Sequence, residues 1–211
     1  MSFTTLAFLC MIIFAATHLL DGAIERSRSK KSMFLLALVS GFAASVLPAL
    51  NFNRYVSLNL LFVISAASYI YVLTRRKRTR EGIRMGAFIL FDVSLYILQL
   101  IWEITVNIGG FYYFQIGAVT LYCTALLRRP SDSAVSAYFG VWFLQLLSII
   151  KNIIVDSYIY FDLSNPDVMQ TAMFSALLTF FLSDIVRYVS LRRREKRTAA
   201  DGPVKPNPGR P

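Results

Sequence analysis

Seven stretches of about 20 mostly apolar residues follow one another along the chain. They are Phe3–Ile24, Ser32–Leu50, Val56–Thr74, Met85–Val106, Phe111–Leu127, Ala134–Val155 and Val168–Leu191. Each is about as long as a helix needs to be to cross the hydrocarbon core of a bilayer. None shows the strict alternation of a half-buried strand. Lipid offers no water to an unpaired backbone group, so spans of this kind are helices. The pattern predicts an all-α bundle of seven transmembrane helices over residues 1–197, with no separate soluble domain in the short connections.

The connections alternate in charge. Arg26, Arg28, Lys30 and Lys31 follow the first segment, Arg75–Arg80 and Arg84 follow the third, Arg128 and Arg129 the fifth, and Arg192–Arg197 the seventh. The others hold Arg54 alone, nothing charged over 107–110, and then Asp156, Asp162 and Asp167. Lys and Arg stay on the cytoplasmic side, which predicts an outside N-terminus and a cytoplasmic C-terminus. Tyr55, Trp102, Tyr112, Tyr113, Tyr158 and Tyr160 fall at outer segment ends, and Tyr69, Tyr71 and Tyr188 at inner ones, where aromatic belts form. No charge precedes the first segment, so it reads as a span and not as a cleavable signal. Residues 198–211 are rich in proline and lack apolar periodicity, which predicts a disordered cytoplasmic tail. Met33–Arg78 and Met85–Pro130 are hairpins of similar length, a weak hint of internal duplication.

Composition agrees. Of 211 residues, 56% are apolar and only 16% charged, against about 25% charged in soluble domains. The net charge is +10, but the cations sit in bursts beside the spans, so they read as topology determinants and not as a nucleic-acid surface. Cys10 and Cys123 lie inside apolar segments without metal spacing. One histidine, His18, is too few for a haem or a histidine-based zinc site, so neither metal nor cofactor is expected.

Polar groups inside the spans carry the functional reading, because ionisable residues there are costly and face the interior or a hydrated path. The fourth segment carries Asp92, Tyr96, Gln99 and Glu103, spaced four, three and four apart on one face. The sixth carries Gln145, Ser148, Lys151 and Asn152. By depth, Gln99 and Gln145 meet near mid-bilayer, and Lys151 approaches Glu103 in the outer third. The seventh carries Thr171, Ser175, Thr179, Ser183 and Arg187 at spacings of four, with Asp184 within reach of Arg187. His18 and Asp21, with Glu25, belong by depth to an inner cluster with Asp92, Asp184 and Arg187. In the second segment Ala37, Gly41 and Ser45 form a small-residue stripe suited to close packing, and Pro48 is placed to kink its outer end.

No catalytic motif survives inspection. Asp21-Gly22-Ala23-Ile24-Glu25-Arg26 resembles the start of the CDP-alcohol phosphotransferase motif, but no acid follows over residues 33–50. GxSxG, HExxH and Walker signatures are missing. Seven short helices with an outside N-terminus also describe the sugar-exporting SWEET family, whose Pro-Gln signature and proline tetrad this chain lacks. Topology alone assigns no family. The leading expectation is a transporter or channel for a small polar or ionic solute, with its path between the fourth, sixth and seventh segments. The alternative is a non-enzymatic subunit or receptor-type domain that assembles with another membrane protein or with its own copies. An enzyme is the least supported class. Short loops and few cysteines suit a bacterial cytoplasmic membrane.

Overall fold

A computed structural model describes residues 2–27, 30–47, 49–53, 55–76, 79–105, 111–127, 129–155 and 161–200. Its helices are α1 (Phe3–Ala16), α2 (Asp21–Arg26), α3 (Lys31–Val46), α4 (Leu60–Arg76), α5 (Arg80–Thr105), α6 (Phe111–Leu126), α7 (Pro130–Val155) and α8 (Pro166–Ala200). Three short strands, β1 (Leu50–Asn53), β2 (Val56–Leu58) and β3 (Phe161–Leu163), complete it. The protein is thus a helical bundle. Three of its helices, over Arg80–Trp102, Pro130–Val155 and Pro166–Lys196, are long and apolar enough to cross a membrane. Four shorter apolar helices accompany them.

Local chemistry sets the boundaries. The Ser2 hydroxyl accepts from the Thr5 amide and caps α1. Asn59 caps α4 by accepting from the Leu61 amide at 2.8 Å. Asn165 caps α8 by accepting from the Asp167 amide at 2.9 Å, with Pro166 in the first helical position. Each satisfies a backbone donor that a helix start leaves over.

Two expected spans are cut short. The first breaks after Ala16, because His18 takes a left-handed conformation, φ 65°, which a helix cannot continue through. The second stops at Val46. Leu47, which precedes Pro48, is extended at ψ 141°, as steric conflict with a following proline dictates. The kink expected at Pro48 is therefore a helix end, and Pro48 itself lies outside the described residues. Beyond it, Leu50 and Val56–Leu58, expected to be helical, form a hairpin. Val56 and Leu58 pair antiparallel with Asn53 and Leu50, and β3 adds parallel to β2. The sheet supplies backbone partners where two helix connections meet. α8 continues through Ala200, so residues 198–200 are helical, while the rest of the expected tail, 201–211, lies outside the described residues.

α7 is the central helix. It packs on α4, α5, α6 and α8 and touches α2 and β3. One apolar cluster, around Phe8, Leu61, Trp142 and Met173, joins α1, α3, α4, α7 and α8. A second, around Tyr69, Met85, Phe88, Val119 and Cys123, joins α4 to α7. The outer faces stay apolar, with Leu36, Ile83, Leu90, Leu121 and Ile154 uncovered by protein, as expected of surfaces that meet lipid or a partner.

Gly41, in the small-residue stripe of α3, faces α1. A Cβ added at Gly41 would come within 2.4 Å of the Phe8 ring, so glycine lets these helices close. Gly41→Val is expected to lower the thermal stability of the purified full chain by about 1–3 kcal/mol. The loss should shrink in a Phe8→Ala background. Equal losses in both backgrounds would show that Phe8 is not what Gly41 accommodates.

Candidate functional site

The polar stripe of α5 turns inward. Asp92 is 0% exposed, and Tyr96 is also buried. Asp92 sits where α5 crosses α7 at Gly140. A Cβ added at Gly140 would lie 3.0 Å from Asp92 Oδ2 and 2.6 Å from the Phe88 ring. Glycine at this crossing makes room for a carboxyl in an otherwise apolar contact. Neither carboxylate oxygen has a hydrogen-bond partner among the described residues. Around it stand aromatics. Tyr69 stacks on Phe139 at 4.5 Å and donates its hydroxyl to the Met85 carbonyl. Phe88 lies 5.4 Å from the Tyr122 ring.

Further polar groups lie on α5, α6 and α8. One turn and more along α5, Gln99 accepts from the Gln115 side chain of α6 at 2.7 Å. Thr120 of α6 and Ser175 of α8 share a hydrogen bond at 3.1 Å. Ser175, Thr179 and Ser183 form one buried line along α8, and the Thr179 and Ser183 hydroxyls, like that of Ser136 on α7, lack a partner among the described residues. Thr171 at the start of this line is half-buried. Small hydroxyl residues at four-residue spacing allow close helix contact, so the line is at once a packing surface and a polar one.

Several sequence expectations resolve differently. Gln99 meets Gln115, not Gln145. Gln145, Ser148, Lys151 and Asn152 are half-buried on α7. The Glu103 side chain lies outside the described residues, as therefore does its expected approach to Lys151. Asp184 turns to α2, while Arg187 is half-buried on the same helix as Asp184. The Asp184 carboxylate accepts two hydrogen bonds from Arg26, from Nε and Nη2, each at 2.6 Å. This fork is the strong geometry for an arginine–carboxylate pair. Arg26 also lies over the Tyr188 ring, 5.6 Å from its centroid. The hydrogen bonds that Arg26 donates to Asp184 raise its already high pKa.

The residues expected in one inner cluster lie apart, with Asp184 on Arg26 as above. His18 and Asp21 meet at 2.5 Å, and Lys31 joins Asp21 at 2.7 Å, all at the exposed end of the bundle. Asp92 lies elsewhere, within the second apolar cluster. Tyr69 is buried in that cluster and not at an interface, whereas Tyr71 and Tyr188 are exposed. At the outer ends, Tyr55, Trp102 and Tyr113 are exposed, while Tyr158, Tyr160 and the Tyr112 side chain lie outside the described residues.

One end of the bundle is tied together by charge. Besides Arg26–Asp184, Arg129 pairs with Glu81 at 3.2 Å, Arg84 donates to the Leu126 carbonyl at 2.8 Å, and the Ser131 amide donates to the Ser27 hydroxyl at 3.3 Å. The three-stranded sheet closes the other end. Among the described residues no group of three or more histidine, cysteine or acidic side chains could hold a metal ion. The sequence reading missed Gln115 and Gly140. Gln115 is the only amide in its segment and could have been found by the criterion that found Gln99. Gly140 carries no signal without its neighbour.

No known protein family, curated protein or solved structure matches the chain.

Leucine branches at Cγ as aspartate does, so Asp92→Leu keeps the shape of the side chain and removes its polarity. An unpartnered buried polar group costs about 1–3 kcal/mol, and the substitution is expected to raise thermal stability by an amount in that range. A fall in stability would show that the carboxyl holds the α5–α7 crossing together.

Proposed function

We propose that the chain is an integral membrane protein of seven spans in a bacterial cytoplasmic membrane, with its N-terminus outside and its C-terminus in the cytoplasm. In this reading it carries or conducts a small polar or ionic solute along the seam between α5, α7 and α8. The carrying observation is Asp92, a carboxyl with no exposure and no partner for either oxygen among the described residues. Groups of this kind inside a membrane are rare and mark ion and solute pathways. Binding a proton or a cation there would relieve a desolvation penalty of several kcal/mol. Occupancy of Asp92 would then shift the balance between two packings of α5 on α7, which is what a transport cycle requires.

The hydrogen bonds Gln99–Gln115 and Thr120–Ser175 tie α6 to α5 and to α8 in this conformation, so conduction along this side of α7 requires these contacts to open. The four shorter apolar helices, 14 to 17 residues long, measure about 21–26 Å at 1.5 Å per residue. That is short of the roughly 30 Å hydrocarbon core, a mismatch that bilayer thinning and flanking residues absorb at modest cost. The alternation of basic and non-basic connections supports the orientation.

A second reading, a non-enzymatic subunit that assembles with another membrane protein, has one observation in its favour. Three cavities among the described residues, of about 440, 710 and 860 Å³, are lined by none of Asp92, Gln99, Gln145 and Thr179.

Two measurements test the proposal. In proteoliposomes holding an entrapped pH dye, a potassium diffusion potential is expected to drive proton entry above that of protein-free vesicles. Asp92→Asn should return entry to that background. Wild-type entry at background, or entry unaffected by the substitution, would remove Asp92 from a proton-carrying role and favour the subunit reading. In intact cells producing a Cys10→Ser/Cys123→Ala chain, a membrane-impermeant maleimide is expected to label Ser2→Cys directly, but Lys196→Cys only after permeabilisation. Labelling of both without permeabilisation would reject an odd number of spans.

A further inference from the structure

A cavity of about 860 Å³ lies apart from the polar seam. It is a slot between α3 and α4, backed by α7 and α8, that runs from Leu61 to Arg75 along α4. At 1.5 Å per residue this is about 21 Å, deeper than one leaflet of a hydrocarbon core roughly 30 Å thick. Its wall is mostly apolar. Two of its hydroxyls are turned back onto their own helices, Ser40 donating to the Ala37 carbonyl at 2.9 Å and Ser65 to that of Phe62 at 2.7 Å. Such a wall offers few donors to a polar solute and suits a hydrocarbon chain.

The mouth is different. Lys30 and Arg75 line it together with Ser131 and Asp132. Both cations are exposed, and neither belongs to an ion pair among the described residues. Two cations against one acid leave the mouth positive. It lies at the end of the bundle where Arg26, Arg84 and Arg129 are already engaged with protein groups.

We infer that this slot holds an acyl chain of an anionic phospholipid drawn from the leaflet at the basic end, with the lipid phosphate at Lys30 and Arg75. The apolar wall takes the chain, and the charge of the mouth selects the headgroup. Arginine in particular suits phosphate, through its planar fork of donors. The inference rests on the membrane placement proposed above and not on the solute path, so proton entry and lipid binding can fail separately.

Native mass spectrometry of the full chain in neutral detergent tests it, with phosphatidylglycerol and phosphatidylcholine of identical acyl chains and with glycerol phosphate as probes. Phosphatidylglycerol is expected to stay bound, phosphatidylcholine to bind at least about tenfold more weakly, and glycerol phosphate not to compete. Lys30→Gln/Arg75→Gln should weaken phosphatidylglycerol about thirtyfold, at about fivefold for each cation near an anionic headgroup, and leave phosphatidylcholine unchanged. Ala37→Phe/Ala67→Phe, which fills the slot from both walls, should abolish binding of both lipids. Equal binding of the two lipids would overturn the inference. So would phosphatidylglycerol binding that survives the double glutamine variant, or competition by glycerol phosphate, which would make the mouth a site for a free anion.

Discussion

A carboxyl buried without a partner is a debt that the surrounding packing has to cover, and Asp92 sets that condition for the bundle. Desolvating a charged group costs several kcal/mol. In this protein the offset comes from close contact on every side of the group. Gly140 lets α5 approach α7, Phe88 fills the space beside it, and Tyr69 and Phe139 stack behind. α7 can serve as the centre because small residues line it where its neighbours approach. Ser133, Ser136, Ala137 and Gly140 are all buried. The same economy of size appears on α8 at Ala172, Ser175, Thr179 and Ser183. In the proposed lipid setting, where no water drives helices together, such surface fit is the main source of association.

The two ends of the bundle solve a different problem. Connections between helices expose backbone groups, and each end satisfies them in its own way. At one end β1, β2 and β3 pair the connection before α4 with the one before α8. At the other, side chains do the work: Arg84 takes the Leu126 carbonyl at the end of α6, and Arg26 forks onto Asp184 from a helix of only six residues. The Arg26–Asp184 pair is partly shielded, at 25% and 17% side-chain exposure, so it is worth more than a surface pair. It is also the contact that holds the short α2 to the long α8.

What the sequence made legible follows from periodicity. Asp92, Tyr96 and Gln99 share a face because a helix repeats every 3.6 residues, and no tertiary knowledge was needed to see it. The small-residue stripe at Gly41 was visible for the same reason. The break at His18 was hidden, because left-handed backbone is expected at glycine, and the nearest one, Gly22, lies four residues on. The β-hairpin was hidden because Val56–Leu58 merges with the apolar run of α4, and a short apolar run does not reveal whether it is strand or helix. Arg26 was read only as a topology cation, since its partner stands 158 residues away. Asp184 was assigned to Arg187 by local spacing, which sees i and i+3 but not a second helix.

The polar seam and the apolar slot lie on different faces of α7, and their chemistry is opposed. The seam between α5, α6, α7 and α8 concentrates polar groups where packing is tightest. The slot between α3 and α4 leaves space where the wall is hydrocarbon. A rigid bundle gains nothing from an unpartnered buried carboxyl, which costs free energy. The coexistence of seam and slot is coherent if α7 is the fixed element and its partners are the movable ones. A lipid chain that fills the slot would brace α3 and α4 against α7. The α5–α7 crossing, held by surface fit and not by ion pairs among the described residues, would then be the joint with the least resistance to rearrangement.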